Sequence, residues 1–429
     1  MLTNLKVKWW LFCGKRERAR KHPARAIKYF EKALAVDPFL VIALTYIGSC
    51  FYDLQRYEDA AGAFGRALER SPNYAEVHAH LGLTYMHLEC NQEAYDSLKR
   101  AFRMKPKLSE HSYWLHVLGS ASGRNKRWDE ALAAFGKLAE LNANHAEAWH
   151  GLGWAYSNLD RNVEAAAAYQ RSIELAPDNS AVHYDLGLSY VKLNRHRDAV
   201  EEFKKSIMLA PSDVNANYSL GLAYFDLGEF NDAIEPLLEA VRIDPKASEI
   251  FRTLGMVYGE LGQHEKARIA FQDAVRLNPD CSEYYCRLAT SCAQSGMKAQ
   301  AIQAAEQALQ LDPESADAYL CLGCALHGPE TMERAAAAYE QSLTLNPKQF
   351  ETLANLGDAY FELGRTEDAR KFLTRAEEIN SNDPKLHYLL GKVYLALGDR
   401  SNTSREYEIL KQQDRSLAED LEKLFNAKT

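Results

Sequence analysis

The sequence predicts an all-α protein in which about twelve similar helix pairs stack into a right-handed superhelix, an α-solenoid. Three observations predict this fold class. Prolines recur every 34 residues over most of the chain, small residues recur in phase with them, and aromatic residues recur at fixed offsets. Because one hydrophobic core rarely serves a chain of 429 residues, such a period favours a repeat array over a single globular domain.

The prolines set the register of the repeat. Pro38, Pro72 and Pro106 form one series, and a second series runs from Pro177 to Pro347 in the same steps. Three extra residues lie between the two series. When each proline is numbered position 32, twelve units cover residues 7–417, and the proline ends the second helix of each unit.

Small and aromatic residues then fall at constant positions within each unit. Position 8 is Gly and position 20 is Ala in eleven of the twelve units, which lets two helices cross closely. Large side chains at positions 4, 11 and 24 fill the space around the crossing. The unit at 146–179 shows the full pattern with Trp149, Gly153, Tyr156 and Ala165.

This pattern resembles that of the tetratricopeptide repeat (TPR) family, whose period is also 34 residues. The resemblance covers residues 7–417 and implies helix-turn-helix units around a concave groove. It leaves residues 1–6 as an N-terminal extension and residues 418–429 as a C-terminal capping helix and tail. Leu417, Leu421, Leu424 and Phe425 are spaced as one helical face, as a cap requires.

Two segments depart from the repeat. Residues 107–128 contain the three-residue insertion and the basic stretch 124–127, and they predict a weak helix end followed by a basic loop. Residues 326–331 contain Gly328-Pro329, which predicts that the first helix of the tenth unit ends early. Both segments are candidate bends in the superhelix, with local loop variation as the alternative.

Partner-binding residues are expected on one stripe of the first helices. In the TPR family, positions 2, 5, 9 and 12 line the concave groove, and aromatic side chains there suit the recognition of peptide or helical segments. Trp154 is the foremost candidate, because Trp149 already supplies the core tryptophan of its unit. The alternative is that these side chains only pack against adjacent units. The candidates are Tyr52, Trp154, Tyr184, Tyr218, Phe225, Phe361 and Tyr388.

Four residues form a candidate metal site. Cys321, Cys324 and His327 follow one another at spacings of three, and Cys286 lies at position 5 of the preceding unit. Thiolates with an imidazole suit zinc or copper. A helix turns about 100° per residue, so spacings of three splay the side chains, which favours ordinary packed thiols instead. No cofactor is predicted.

The sequence contains no motif of an enzyme. It lacks the phosphate-binding, zinc-protease, serine-hydrolase and dinucleotide patterns, so no catalytic residue is predicted. Binding of chaperone C-terminal tails is not expected, because the corresponding positions hold Leu320, Cys324, Asn355, Lys385 and Leu389 and only two match. The asparagine ladder of the O-linked N-acetylglucosamine transferase superhelix is also missing.

Charge is distributed unevenly along the chain. Residues 1–35 hold ten basic and two acidic residues, a net +8, which leaves −16 on the remainder. The acidic body argues against nucleic acid as a partner. The basic start, with Trp9, Trp10 and Phe12, could instead meet an anionic membrane surface, and the alternative is a charged helix that solubilises the array.

We therefore expect a non-catalytic protein–protein interaction scaffold or adaptor that binds peptide or helical segments of other proteins. The alternatives are a peripheral membrane-associated assembly factor docked through its basic, Trp-rich N-terminus, and a regulatory subunit of an enzyme complex. A cytoplasmic location is expected, or one at the cytoplasmic face of a membrane, since the eight cysteines lack a disulfide-rich spacing.

Overall fold

The computed structural model describes residues 2–427, and all regular structure in that range is helical. The all-α solenoid prediction is therefore confirmed. The helices form two compact units that divide between Pro211 and Ser212. Within each unit, each helix packs against the next helix along the chain.

The first compact unit contains twelve α-helices and one short 3₁₀ turn, Pro106–Glu110. The helices are α1 (Leu2–Ala19), α2 (Pro23–Leu34), α3 (Val41–Asp53), α4 (Tyr57–Arg70), α5 (Ala75–His87), α6 (Asn91–Met104), α7 (Ser112–Arg124), α8 (Trp128–Leu141), α9 (Ala146–Asn158), α10 (Asn162–Leu175), α11 (Ser180–Lys192) and α12 (His196–Leu209).

The second compact unit contains thirteen α-helices in its described residues. They are α13 (Val214–Asp226), α14 (Phe230–Ile243), α15 (Ser248–Glu260), α16 (His264–Leu277), α17 (Ser282–Gln294), α18 (Lys298–Leu311), α19 (Ala316–Leu326), α20 (Met332–Leu345), α21 (Phe350–Glu362), α22 (Thr366–Ile379), α23 (Pro384–Ala396), α24 (Arg400–Gln413) and α25 (Arg415–Ala427).

The observed helices follow the register that the prolines define. Every first helix from α3 to α23 begins at the first position of a predicted unit. Two differences occur at the ends. Helix α1 begins at Leu2, so residues 2–6 are helical and lengthen the first helix of the array. Helix α25 begins at Arg415, three residues before the expected cap, because Asp414 accepts hydrogen bonds from the amides of Ser416 and Leu417.

The helix crossing explains the small residue at position 8. A Cβ atom added to Gly187 would lie 2.5 Å from the ring of Phe203, the position-24 residue of the same repeat. Gly153 and Tyr169 show the same relation, also at 2.5 Å. Such distances are too short for a real Cβ contact, so a large side chain at position 24 requires glycine at position 8.

The turn inside every repeat except the tenth uses a left-handed residue at position 15. In the first compact unit this residue is not glycine, and its φ lies between 56° and 61°. In the second compact unit it is glycine in five repeats, with φ between 68° and 80°. This conformation closes a helix C-terminus, and a side chain there adds strain. The non-glycine set is Lys21, Gln55, Glu89, Lys126, Asp160 and Asn194.

In some repeats the residue at position 4 anchors the repeat to the preceding turn by a hydrogen bond. The indole Nε1 of Trp149 donates to the carbonyl of Ala143 at 2.9 Å. In the next repeat a histidine replaces the tryptophan, and Nε2 of His183 lies 2.9 Å from the carbonyl of Pro177. Its Nδ1 is 2.6 Å from Glu202 Oε2, so the buried histidine is held at both ring nitrogens.

The segment 107–128 is better ordered than the sequence predicted. The inserted residues form the 3₁₀ turn, and Leu108 is buried beside Ala79 and Ala101. Helix α7 reaches Arg124 and is as long as the other first helices, so the expected weak helix end is wrong. The packed turn separates α6 from α7, whose mutual contact is less extensive than at other repeat junctions.

The segment 326–331 agrees with its prediction. Helix α19 ends at Leu326, two residues short of the other first helices, because Gly328-Pro329 cannot continue it. The carbonyl that this leaves open at Leu326 accepts a hydrogen bond from Thr331 Oγ1. Lys298 Nζ, from the preceding repeat, donates to the same hydroxyl at 2.9 Å.

Candidate functional site

The candidate site is the surface formed by positions 2, 5, 9 and 12 of the first helices, here called the first-helix stripe. All seven predicted aromatic residues lie on helices at these positions, and each is half-buried. A half-buried aromatic side chain has one face against the repeat core and one face toward solvent. Their contacts distinguish the residues that mainly pack against neighbouring helices from those that offer a binding surface.

An aromatic patch covers the stripe near α3, α5 and α7. Tyr52 Oη lies 2.7 Å from Nε2 of His87, and the His87 ring stacks on Tyr57 with centroids 4.6 Å apart. Tyr113, at position 2 of its repeat, is 57% exposed and packs edge-on against Trp114. Tyr113 was not among the predicted residues, although its aromatic ring at position 2 was the available signal.

The hydroxyl of Tyr52 is polarised by its surroundings. Burial, followed by the neighbouring tyrosines Tyr113 and Tyr57, raises the pKa of Tyr52 to about 12. The hydroxyl therefore stays protonated at neutral pH and keeps its capacity to donate a hydrogen bond. A protonated hydroxyl above an apolar ring gives this patch both a polar and an apolar contact for a partner.

Trp154 is largely engaged in packing. Its ring lies directly over Gly123 of the preceding repeat, where an added Cβ would come within 2.0 Å of the indole. It also meets Trp128 edge-on, with centroids 5.0 Å apart. The small residue at 123 is thus required by the tryptophan. The role of Trp154 as the foremost partner-binding residue stays a prediction.

The stripe aromatics near the chain centre also contact their own compact unit. Tyr184 packs against Phe203, with ring centroids 5.8 Å apart, and Tyr218 Oη lies 3.2 Å from Thr253 Oγ1. Phe225 meets the ring of Phe230 edge-on at 5.4 Å; both belong to the cluster around Leu237. These residues hold successive helices together while one face of each ring remains accessible.

A cation lies among the aromatic residues of α21 and α23. Lys392 Nζ is 4.8 Å from the ring centroid of Phe361 and 5.9 Å from that of Tyr388. It also pairs with Glu362 at 3.5 Å. The ammonium bridges two repeats and orders both rings, and this contribution is about 0.5–1 kcal/mol at partly exposed sites.

The structure divides the four candidate metal ligands into two pairs. Cys286 and Cys321 pack in one apolar cluster and line the same cavity. Cys324 and His327 instead face the hydroxyl of Tyr339, at 3.6 and 3.5 Å. Among residues 2–427, no group of three or more ligand atoms includes any of the four. The four side chains are divided in this way because residues three apart on a helix point about 60° away from each other.

A different group brings possible ligand atoms together near α23. Glu377, His387 and Glu406 have ligand atoms within 4.8 Å of one another. Both nitrogens of His387 are already engaged, Nδ1 with Glu406 Oε2 at 2.7 Å and Nε2 with the carbonyl of Ser381 at 2.9 Å. Glu377 pairs with Arg405, which also lies 3.5 Å from Glu406. An ion-pair network accounts for the whole arrangement.

The protonation of His387 follows from these contacts. The hydrogen bond with Glu406 raises its pKa against the opposing effect of burial, and the carbonyl of Ser381 adds to the rise. Both ring nitrogens face acceptors, so the doubly protonated imidazolium satisfies the geometry. His387 and Glu406 are thus a buried ion pair at position 4 and position 23 of the twelfth repeat.

Helix α1 presents an apolar stripe to solvent. Leu5, Trp9 and Phe12 are each about 60% exposed, and their spacing puts them on one face of the helix. Trp10 points to the other side and packs against the first-repeat core, as position 4 predicts. The described residues 2–427 include no helix that is both long and apolar enough to cross a membrane.

This chain matches the model of a known protein family. The family model of the cilia and flagella-associated protein 70 C-terminal domain, a TPR domain, matches residues 41–242 and again residues 210–423. The chain belongs to this TPR family. The two overlapping matches place the same domain type along nearly the whole array, which agrees with the uniform register of the helices.

The chain is also similar to two solved structures and to one curated protein. The crystal structure of the APC/C heterotetramer Cut9–Hcn1 matches 98% of this TPR chain and 96% of that chain, with 14% identity and a TM-score of 0.51. Yeast Tom70 matches 99% and 95%, with 16% identity and a TM-score of 0.45. The general transcriptional corepressor trfA of Dictyostelium discoideum is 27% identical over 134 residues, which are 31% of this chain and 10% of that protein.

Proposed function

We propose that this TPR protein is a non-catalytic scaffold whose first-helix stripe binds a peptide or helical segment of a partner protein. The observation that carries the proposal is the aromatic patch of Tyr52, His87 and Tyr113. Tyr113 is 57% exposed at a stripe position, whereas aromatic rings at the core positions of TPR repeats are usually buried. Exposed tyrosines supply large contact area at low entropic cost.

The patch has the composition of a protein interface. Tyr52 donates or accepts through its hydroxyl, and His87 stacks its ring on Tyr57, so both polar and apolar contacts are fixed in position before binding. A rigid surface loses little freedom when a partner docks, which favours affinity. A cytoplasmic site of action belongs to this proposal and is supported by the eight unpaired cysteines.

The test is photo-crosslinking followed by affinity measurement. A photoreactive phenylalanine analogue at position 113 identifies the bound segment by mass spectrometry, and that segment is then synthesised. We expect Tyr113→Ala to weaken binding of the synthetic segment by about tenfold or more, as for an interface hot spot. The matched control is Phe39→Ala, which removes an equally exposed aromatic ring outside the stripe.

Equal affinity of Tyr113→Ala and wild type for the crosslinked segment would refute the assignment of the patch. Tyr52→Phe separates the roles of ring and hydroxyl, since it keeps the ring and removes the hydrogen bond to His87. Helix content measured by circular dichroism should be unchanged in all three variants, so a loss of binding cannot come from unfolding.

The exposed face of α1 favours a second function, docking at an anionic membrane surface. Leu5, Trp9 and Phe12 form the apolar stripe, and the net charge of +8 over residues 1–35 is complementary to acidic lipid headgroups. Trp and Phe side chains suit the interfacial region of a bilayer. The protein would then act as a peripheral assembly factor.

Liposome sedimentation tests this second function. We expect cosedimentation with vesicles containing phosphatidylserine, less with pure phosphatidylcholine, and a severalfold loss for Trp9→Ala combined with Phe12→Ala. The control is Phe39→Ala, an exposed aromatic residue outside α1. Binding to neither vesicle type, or binding that both variants share with wild type, would exclude the membrane role and leave the scaffold role unaffected.

A further inference from the structure

The ninth repeat is built from smaller side chains than the other repeats. Its position 24 is Ala305 instead of an aromatic residue or leucine, and its position 8 is Ala289 instead of glycine. Ala301, Ala304 and Ala308 complete a nearly all-alanine buried face of α18. With no large side chain to hold them apart, α17 and α19 come into closer contact than other successive first helices of the described chain.

A regular contact across repeats then brings two thiols together. Position 5 of one first helix meets position 6 of the next, as His150 meets Asp185 at 2.8 Å and Tyr218 meets Thr253 at 3.2 Å. In the ninth and tenth repeats these two positions are both cysteine.

The side chains of Cys286 and Cys321 share one apolar cluster with Ala308 and Ala318. Their separation of 35 residues in sequence equals that of the other position 5–position 6 pairs. The repeat register itself therefore brings the two thiols to neighbouring places, and the compact α18 lets α17 and α19 come close together.

Solvent reaches this pair through a cavity of about 480 Å³. Its walls include Arg287, Thr290 and Asp317, and both thiols lie in its lining. Cys286 is 7% exposed, whereas Cys321 is more open to solvent. A small polar molecule can thus approach Cys321 while Cys286 stays behind it.

The environment makes the two thiols unequal. The hydrogen bond from the Cys286 thiol lowers the pKa of Cys321, and Thr290 Oγ1, at 3.7 Å, adds to that effect against burial. The same hydrogen bond, together with burial, raises the pKa of Cys286. Cys321 is the better nucleophile, and Cys286 retains its proton until a second step.

We propose that Cys286 and Cys321 form a site of reversible oxidation, at which a hydroperoxide converts the two neighbouring thiols into a disulfide that links the ninth and tenth repeats. The thiolate of Cys321 attacks the peroxide oxygen, the O–O bond breaks, and a sulfenic acid forms with release of water from hydrogen peroxide. The Cys286 sulfur then displaces hydroxide from the sulfenic sulfur, and its proton leaves with that hydroxide as a second water. Two thiols are oxidised and one peroxide is reduced.

The product fits the fold with a small movement. The sulfur atoms must approach to about 2.05 Å, and the close contact of α17 with α19 favours that approach. The disulfide would fix these two first helices side by side beneath the cavity. This oxidation site is independent of the proposed partner and membrane functions.

The experiment treats the full-length protein with hydrogen peroxide and maps its thiols by peptide mass spectrometry. We expect one disulfide, Cys286–Cys321, with loss of two of the eight thiols and full recovery after dithiothreitol. In Cys286→Ser, we expect no crosslink and a sulfenic acid at position 321 that dimedone traps. The matched control is Cys324→Ser, one helical turn away, which should form the same disulfide as wild type.

Three results would overturn the proposal. They are oxidation of Cys321 in wild type without a crosslink, a crosslink between other cysteines, and no oxidation at concentrations of peroxide that modify exposed thiols in general. Cys286→Ala combined with Cys321→Ala keeps the small volumes of this repeat, so circular dichroism and a urea titration can verify folding. That variant should lose no thiol under peroxide if the site is correctly assigned.

Discussion

The close crossing of α11 and α12 determines how the free energy of unfolding responds to a larger residue at position 187. Gly187→Ala places a methyl group 2.5 Å from the fully buried ring of Phe203. Overpacking of this kind costs about 1–3 kcal/mol, while alanine gains about 1 kcal/mol of helix propensity over glycine. We expect Gly187→Ala to lower the free energy of unfolding by up to about 2 kcal/mol.

A double-mutant cycle measures the coupling between positions 187 and 203. Phe203→Ala alone should cost about 3–5 kcal/mol, because it empties the crossing. When Phe203→Ala is combined with Gly187→Ala, the methyl group meets no ring and keeps its propensity gain. The double variant should therefore be about 1–3 kcal/mol more stable than the sum of the single effects predicts. The ninth repeat, with Ala289 and Ala305, already contains this combination.

Urea denaturation followed by circular dichroism measures the four proteins, and hydrogen exchange in α11 localises the effect. The control is Gly136→Ala, at a site where an added Cβ meets nothing within 4 Å, which should stabilise by about 1 kcal/mol. If the two effects add to within about 0.5 kcal/mol, the crossing is not set by the Gly187–Phe203 contact and the explanation of position 8 is wrong.

Three further predictions follow from contacts described above. Because the pKa of His387 is raised, its ion pair stabilises the folded protein fully below about pH 6.5 and loses this effect as the pH rises through the raised pKa. The urea midpoint of wild type should therefore fall on the alkaline side, and the midpoint of His387→Phe should change less with pH. Lys126→Gly should stabilise and Gly228→Ala destabilise, each by about 1 kcal/mol in thermal or urea unfolding, because both positions are left-handed; effects of the opposite sign would contradict this. Arg365→Ala should cost about 0.5–1 kcal/mol in the same assay, since its guanidinium lies 4.1 Å from the ring centroid of Tyr360, and an unchanged midpoint would show that the contact contributes nothing.

The sequence determines the fold through packing that lies within one repeat. Gly153 and Tyr169 are sixteen residues apart, and the same spacing separates position 8 from position 24 in the other units. This recurring spacing allows the helix crossing to be predicted from the sequence alone. The early end of α19 was likewise predictable, because Gly328-Pro329 acts on its own helix. The glycine crossing repeats in ten of the twelve units, and a single sequence displays such repetition best.

Interactions between repeats were harder to predict. Trp154 was expected to face a partner, but the missing side chain at Gly123, in the previous repeat, gives the indole a packing place. The buried pair His387–Glu406 was missed because its members stand nineteen residues apart and glutamate at position 23 looks like a solvated helix face. Tyr113 was missed because the insertion before it disturbed the proline phase.

The location of each contact relative to the repeat boundary also determines which segments could be exchanged between arrays. A 34-residue cassette cut before position 1 carries both members of its glycine–aromatic crossing, so it brings its own core wherever it is inserted. The Tyr218–Thr253 hydrogen bond is divided by that cut. Shuffled cassettes would thus keep their shape and lose their alignment with neighbours, unless residues at positions 5 and 6 were matched anew.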